Sequence, residues 1–203
     1  QEGLLWVSLP RAFGHLHFGR PTLDRRVPEV HIDKAEWCGP PLYDFQEDAI
    51  STLVENGADH QTLVMGCGCG KTNTAIWYIF QVLQMPAIIL VHTDVLMKQW
   101  HARIQALVPS LTVGCIQGKA SITDTIWQNN VVIAMVPTLA QDTTIFEVPH
   151  VVVVDEAHHI VCTTFSSTLE RFPSRRRLAL TATPKRADGL PLEVYMGEIV
   201  YEY

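Results

Sequence analysis

Two short stretches of this 203-residue chain carry side chains that could do chemistry at a phosphate. The first, MGCGCGKT, runs from Met65 to Thr72. Its glycines at 66, 68 and 70 let the backbone curl so that successive N–H groups converge on an anion. Gly70 then opens a helix, whose N-terminal partial charge favours phosphate. In such a loop Lys71 reaches the outer phosphates of a nucleoside triphosphate and the Thr72 hydroxyl ligates Mg²⁺. Met65 departs from the pattern G-x-x-x-x-G-K-[ST], which has glycine in its place. The second stretch is VVVVDEAHH, an apolar strand that delivers Asp155 and Glu156 to its carboxyl end. Asp155 suits the shell of the metal, and Glu156 suits the orientation and deprotonation of an attacking water. A glycine-rich turn or a thiol site at Cys67 and Cys69 are the competing readings. No C-x₂-C or H-x₃-H spacing completes a metal set with those cysteines, with His15 and His17, or with His158 and His159. Cys69, at a helix N-terminus, is a candidate for oxidation when the loop is empty.

These residues need elements to position them. TLVM (62–65) reads as a strand entering the loop, and Thr72 to about Leu83 as the helix leaving it. Upstream, LYDFQEDAISTLVEN places Phe45, Ala49, Ile50 and Leu53 on one helix face. Downstream, AIILV is a buried strand, and Asp94–Leu107 is a helix with Leu96, Trp100, Ile104 and Leu107 on one side. TVGCI, VVIAM, VVVV and RLALT (177–181) supply further strands, RLALT being the last clear one. Short, fully apolar strands separated by helices mean parallel strands covered on both faces. The expected fold is therefore α/β, a P-loop NTPase domain with a doubly wound, mostly parallel sheet and helices on both faces. Residues 1–40, rich in Pro, Gly, His and Arg, read as a loose extension or a few short strands, with the domain itself over 41–203.

Composition narrows the class. Hydrophobic residues make up 47% and charged residues 18%, which is globular chemistry rather than disorder. The longest apolar runs are strand-sized, so no membrane partner is expected. Five irregularly spaced cysteines and no secretory leader fit a reducing, intracellular setting. The chain opens on Gln, as a trimmed chain or a fragment would. A net charge of −6 argues against a broad basic surface that grips a duplex by charge alone, though local clusters can still bind nucleic acid. Six of the fifteen Lys and Arg residues lie between Arg171 and Arg186. Of these, SRRR (174–177) reads as a solvated loop, while Arg186, with Asp188 near it, follows the last strand, RLALT.

Together the motifs resemble those of superfamily 2 helicases. DEAH (155–158) looks like their motif II, LTATP (180–184) like motif III, and LYDFQ (42–46) like an adenine-recognising Q-type motif. The P-loop of that superfamily, A-x-x-G-x-G-K-T, accepts methionine first, so Met65, Gly68, Gly70, Lys71 and Thr72 fit it. IILVHTDVLMKQW is similar to motif Ia, with His92 where proline is common, and IQGK and VVIAMVPTLA resemble later backbone-contacting segments. TATPKRADG points to the branch of XPB-type DNA helicases, type III restriction motors and large-virus helicases. LPRAFGHLHFG resembles the leader of poxvirus-like and giant-virus helicases.

The resemblance implies the first RecA-like domain of a motor that uses ATP and Mg²⁺, the metal held by Thr72 and Asp155. Gln46 would read the adenine edge, beside a cradle of Gly68, Cys69, Gly70, Lys71 and Thr72, and Tyr43 would stack on the base or serve as a plain anchor. His158 would link the nucleotide to Thr181 and Thr183, which relay its state or simply cap a strand. Thr93, Gly118 and Thr138, with Arg186, would touch the nucleic-acid backbone. The implied partners are DNA, as a single strand or a duplex fork, with RNA as the alternative, and a second RecA-like domain. Without that domain these residues would bind nucleotide weakly and hydrolyse it slowly. The alternatives are the motor of a type III restriction-like nuclease complex and a non-catalytic nucleotide-gated scaffold.

Overall fold

Strands built from Val, Ile, Leu and Ala must be covered on both faces, and the structure, a computed structural model, covers them with helices. It describes residues 9–183 and 192–203, apart from positions 20, 22, 23, 25, 119–121, 147, 149 and 162. The strands are β1 (His60–Val64), β2 (Ala87–Val91), β3 (Val113–Ile116), β4 (Val131–Met135), β5 (Val151–Val154), β6 (Arg177–Thr181) and β7 (Ile199–Glu202). They form one sheet in the order β3-β4-β2-β5-β6-β1-β7, and every pairing is parallel. Side chains alternate between two cores, as a period of two requires. Ile89, Val91, Val151 and Val153 face one side, and Ile88, Leu90, Val152 and Val154 the other.

The first side is covered by α2 (Asp44–Asn56), α3 (Lys71–Trp77) and α4 (Asp94–Leu107). The second is covered by α5 (Val136–Leu139), α6 (Thr163–Glu170) and α7 (Glu193–Met196). The loop after β1 and the acids after β5 therefore emerge together at the carboxyl edge of the sheet, where ligands of such folds bind. No helix among the described residues is long and apolar enough to cross a membrane.

Five sequence expectations change. First, β1 begins two residues earlier than TLVM, because Gln61 is buried with partners: it donates to the Leu53 carbonyl at 2.7 Å and accepts from the Tyr78 hydroxyl at 3.0 Å. The helix after the loop also widens into a π-helical turn over Tyr78–Leu83. Second, α4 buries Met97 with Trp100, Ile104 and Leu107, while Leu96 is half-buried and lines the cleft beside the loop. Third, β7 adds an edge strand beside β1 that RLALT did not announce. Its residues are half-exposed or exposed, and its apolar run, Ile199 to Tyr201, is only three residues long. Gly197, at φ +82°, leads into it past the His60 backbone, where any Cβ would collide.

Fourth, among its described residues the extension carries a helix, α1 (Arg11–Phe18), packed on α7, and no strand. The segment after it is extended yet anchored. Ile32 N–H donates to the Gln84 carbonyl at 2.7 Å, Gln81 donates to Ala35 O at 2.7 Å, and Trp37 packs edge-on against Trp77. Long-range bonds hold this segment, and periodicity cannot show them. Fifth, SRRR is not a solvated loop. Arg177 is fully buried and paired with Glu170 at 2.8 Å, Arg176 with Glu29 at 2.7 Å, and Arg175 with Asp59 at 3.3 Å. The compensating acids are distant in sequence, so the local run reads as basic when its surroundings are neutral.

Candidate active site

Met65 to Thr72 wraps over the end of β1 and turns into α3 at Gly70, whose φ of +78° suits glycine. A Cβ at Gly70 would also overlap the Gln46 amide, which lies against the loop. Lys71 folds back, its Nζ donating to the Met65 carbonyl at 2.9 Å and the Gly66 carbonyl at 3.4 Å. Thr72, Lys71, Asp155 and Glu156 line one cleft of about 430 Å³, a size in the range of small-ligand sites. Cys69 packs against the core and Cys67 is exposed. A separate cleft of about 320 Å³ lies at the opposite end of β1, beside His60 and α1.

Gln46 lines the same cleft as Lys71, and its amide is already engaged within the chain. It is buried, its Oε1 accepts the Tyr43 N–H at 3.0 Å, and its Nε2 donates to the Cys69 and Gly70 carbonyls at 3.2 and 3.4 Å. It thus caps α2 and braces the loop at once. The exposed group at that mouth is Tyr43, which stacks on Phe45, itself stacked on Tyr203 with centroids 4.4 Å apart. Tyr203 reaches further, since its carbonyl accepts the Gly66 N–H at 3.1 Å.

At the end of β5 the Asp155 carboxylate is buried with both oxygens held. Oδ1 accepts the Glu156 N–H at 2.9 Å, and Oδ2 accepts the Trp100 indole N–H at 2.8 Å. Burial pushes its pKa up, and the Trp100 hydrogen bond opposes the rise. Glu156 adopts φ +51°, a strained conformation for a non-glycine residue of the kind that collects at functional sites. Its carboxylate lies 3.3 Å from His158 Nδ1, which also meets the Thr181 hydroxyl at 3.1 Å. The Thr181 hydroxyl in turn donates to the Thr183 carbonyl at 2.8 Å. Its only proton being spent there, His158 must be the donor to it, with the imidazole proton on Nδ1. Burial, and next His159, hold the His158 pKa below its usual value, which keeps that ring neutral near pH 7. An unbroken chain of contacts therefore runs from Glu156 through His158 and Thr181 to Thr183. Thr181 also caps its strand end by accepting the Thr183 N–H, so the two readings of that residue coexist.

The other candidates group around the ends of β2, β3 and β4. Thr93 caps α4, its hydroxyl accepting the Leu96 N–H at 3.3 Å. Gly118 donates its N–H to the Thr138 hydroxyl at 3.0 Å, and Thr138 is buried. The two expected backbone contacts are thus bonded to each other, bracing the loop after β3 against helix α5. Arg186 and Asp188 lie outside the described residues. Trp100 was read only as one position of an apolar face. Its polar role needed the knowledge that β2, which leads into α4, lies next to β5.

Comparison with known proteins agrees with this fold. A family model described as type III restriction enzyme, res subunit, matches residues 40–186. A protein of Acanthamoeba polyphaga mimivirus, provisionally named ATP-dependent RNA helicase L396, is 30% identical over 97% of this chain and 38% of its own length. The DNA 3'-5' translocase XPB2 of Sulfurisphaera tokodaii is 29% identical over 79% of this chain and 35% of its own length. Among solved structures, the Sulfolobus solfataricus SWI2/SNF2 ATPase core in complex with dsDNA superimposes with a TM-score of 0.67 at 20% identity, over 82% of this chain and 37% of that one. The chain spans less than two fifths of the length of these curated relatives.

Proposed function

The chain belongs to the superfamily 2 helicases, in the branch described by the type III restriction res subunit, and from that premise we propose that it is an ATP-hydrolysing motor domain acting on nucleic acid. The observation that carries the reading is the contact chain from Glu156 to Thr183, which connects a candidate catalytic base to the end of the neighbouring strand β6. In this reading Lys71 leaves the Met65 and Gly66 carbonyls and turns to the phosphates. Glu156 orients and deprotonates the attacking water, and neutral His158, sharing its Nδ1 proton between Glu156 and Thr181, registers the change.

The residues present fit Mg²⁺. Thr72 and Asp155 offer hard oxygen donors in one cleft, and each Asp155 oxygen keeps a lone pair beyond its N–H partner. When bound, the ion would neutralise phosphate charge. The substrate we propose is DNA, as a single strand or fork, with contacts to the phosphate backbone that suit movement along any sequence. The partner is a second RecA-like domain, and the setting is intracellular. A nuclease-coupled restriction motor is the second reading, which the family description itself favours.

The test is ATPase activity of the full chain with single- and double-stranded DNA and RNA compared. Glu156→Gln is expected to lower hydrolysis by about 10²-fold or more while nucleotide binding persists. A Glu156→Gln variant with undiminished turnover would overturn the assignment.

A further inference from the structure

The stripe that α4 buries, Met97, Trp100, Ile104 and Leu107, asks only for apolar volume, and any large side chain would fill it. Tryptophan brings one thing that leucine, methionine or phenylalanine cannot, an N–H donor. That donor is 2.8 Å from Asp155 Oδ2, with the indole 1% and the aspartate 6% exposed. A carboxylate rotates about its terminal torsion in a broad, nearly two-fold well. The Glu156 N–H at 2.9 Å holds one oxygen from the aspartate's own chain. The indole holds the other from a different element. Together they leave one orientation, with the remaining lone pairs available to the cleft that Thr72 shares. Helix α4 starts at the Thr93 cap, where Asp94 accepts from Gln117 of the loop after β3. The element that orients Asp155 is therefore rooted at the strand ends where the backbone-contact candidates lie.

We propose that Trp100 is a positioning residue for Asp155: its indole N–H fixes the rotation of the carboxylate toward the metal subsite beside Thr72 and ties that orientation to the loop cluster at Thr93, Gly118 and Thr138. This rests on the motor reading above and adds to it a role for the residue that ends the motif Ia-like segment. It predicts that the metal-dependent part of nucleotide binding depends on the N–H, and that the metal-independent part does not.

The experiment is binding of a fluorescent ADP analogue to the full chain with Mg²⁺ and with EDTA, together with Mn²⁺ binding followed by electron paramagnetic resonance. The variants are Trp100→Phe and replacement of Trp100 by β-(3-benzothienyl)alanine, which keeps the ring shape and lacks the N–H. The expected result is a loss of about tenfold in the Mg²⁺-enhanced affinity and in Mn²⁺ affinity, with binding in EDTA unchanged. Unchanged metal dependence in a folded variant overturns the proposal. An equal loss with and without metal overturns it too, since that marks packing alone. If Trp100→Phe fails to fold, the benzothienyl chain decides. A wild-type chain whose nucleotide binding ignores Mg²⁺ overturns the motor reading first, and this inference with it.

Discussion

Replacing Thr181 by Val removes one oxygen at the centre of the site and keeps the shape of a fully buried side chain. That oxygen takes part in three contacts, with His158 Nδ1 at 3.1 Å, Thr183 N–H at 3.1 Å and the Thr183 carbonyl at 2.8 Å. Thr183 is exposed, so water replaces two of them. His158 retains Glu156 at 3.3 Å. At roughly 1 kcal/mol for a net hydrogen bond, the cost to stability is about 1–2 kcal/mol. For a domain of this size that is a fall in Tm of about 2–8 °C. The functional effect is separate. With no hydroxyl to bridge β6, the His158 proton rests on Glu156 alone, and the state of the nucleotide no longer reaches Thr183. Basal ATP hydrolysis should persist, while stimulation by nucleic acid falls by about fivefold or more, the low end of ordinary coupling energies. Thr181→Ser restores the hydroxyl and should restore stimulation. The assay is steady-state ATPase with and without single-stranded DNA, beside a thermal melt. A folded Thr181→Val chain with full stimulation would refute the relay and leave the residue as a strand cap.

Two further outcomes follow from the packing. Arg177→Ala strips partners from the Leu169 and Phe172 carbonyls and empties a buried site, so chemical denaturation should show a loss of about 3–5 kcal/mol. Arg175→Ala, at a half-exposed pair, should cost less than about 1 kcal/mol, and equal effects would contradict the structure. Burial holds His150 down to about 4 and His60 to about 2, so both rings stay neutral in the fold while the unfolded chain takes up protons near pH 6.5. Stability contributed by their neutral state is full above about pH 7 and is lost as pH falls, the His150 part levelling near its folded pKa. His150→Phe should flatten the stability profile between pH 6 and 4 by up to about 1.4 kcal/mol per pH unit, and an unchanged slope would refute the burial.

The sheet was legible because strands covered on both faces have no polar side to disguise them. The glycine loop and the Asp155–Glu156 pair were legible because their chemistry is local. What escaped the sequence was long-range. The acids that neutralise Arg175, Arg176 and Arg177 stand at 29, 59 and 170, and charge composition says nothing about such pairing. β7 escaped because this edge strand is half-exposed and its apolar run, Ile199 to Tyr201, is only three residues long. The bonds from the Gln46 amide to the Cys69 and Gly70 carbonyls also escaped, since they join residues more than twenty positions apart. Trp100 looked like core because its stripe position is core, and only the adjacency of β2 and β5 places its N–H on Asp155.

The pairing of β7 with β1 has a mechanical meaning. Two parallel strands joined by a ladder resist a pull along their axis in shear, with the bonds loaded together rather than unzipped one by one. β1 is the strand that runs into the phosphate loop, and the Tyr203 carbonyl grips that loop directly at Gly66. The ladder shifts register between Thr62 and Leu63, so the Tyr203–Gly66 bond is the direct link from β7 to the loop. A displacement of the edge strand therefore has a short path to the glycine loop, through one carbonyl and one amide.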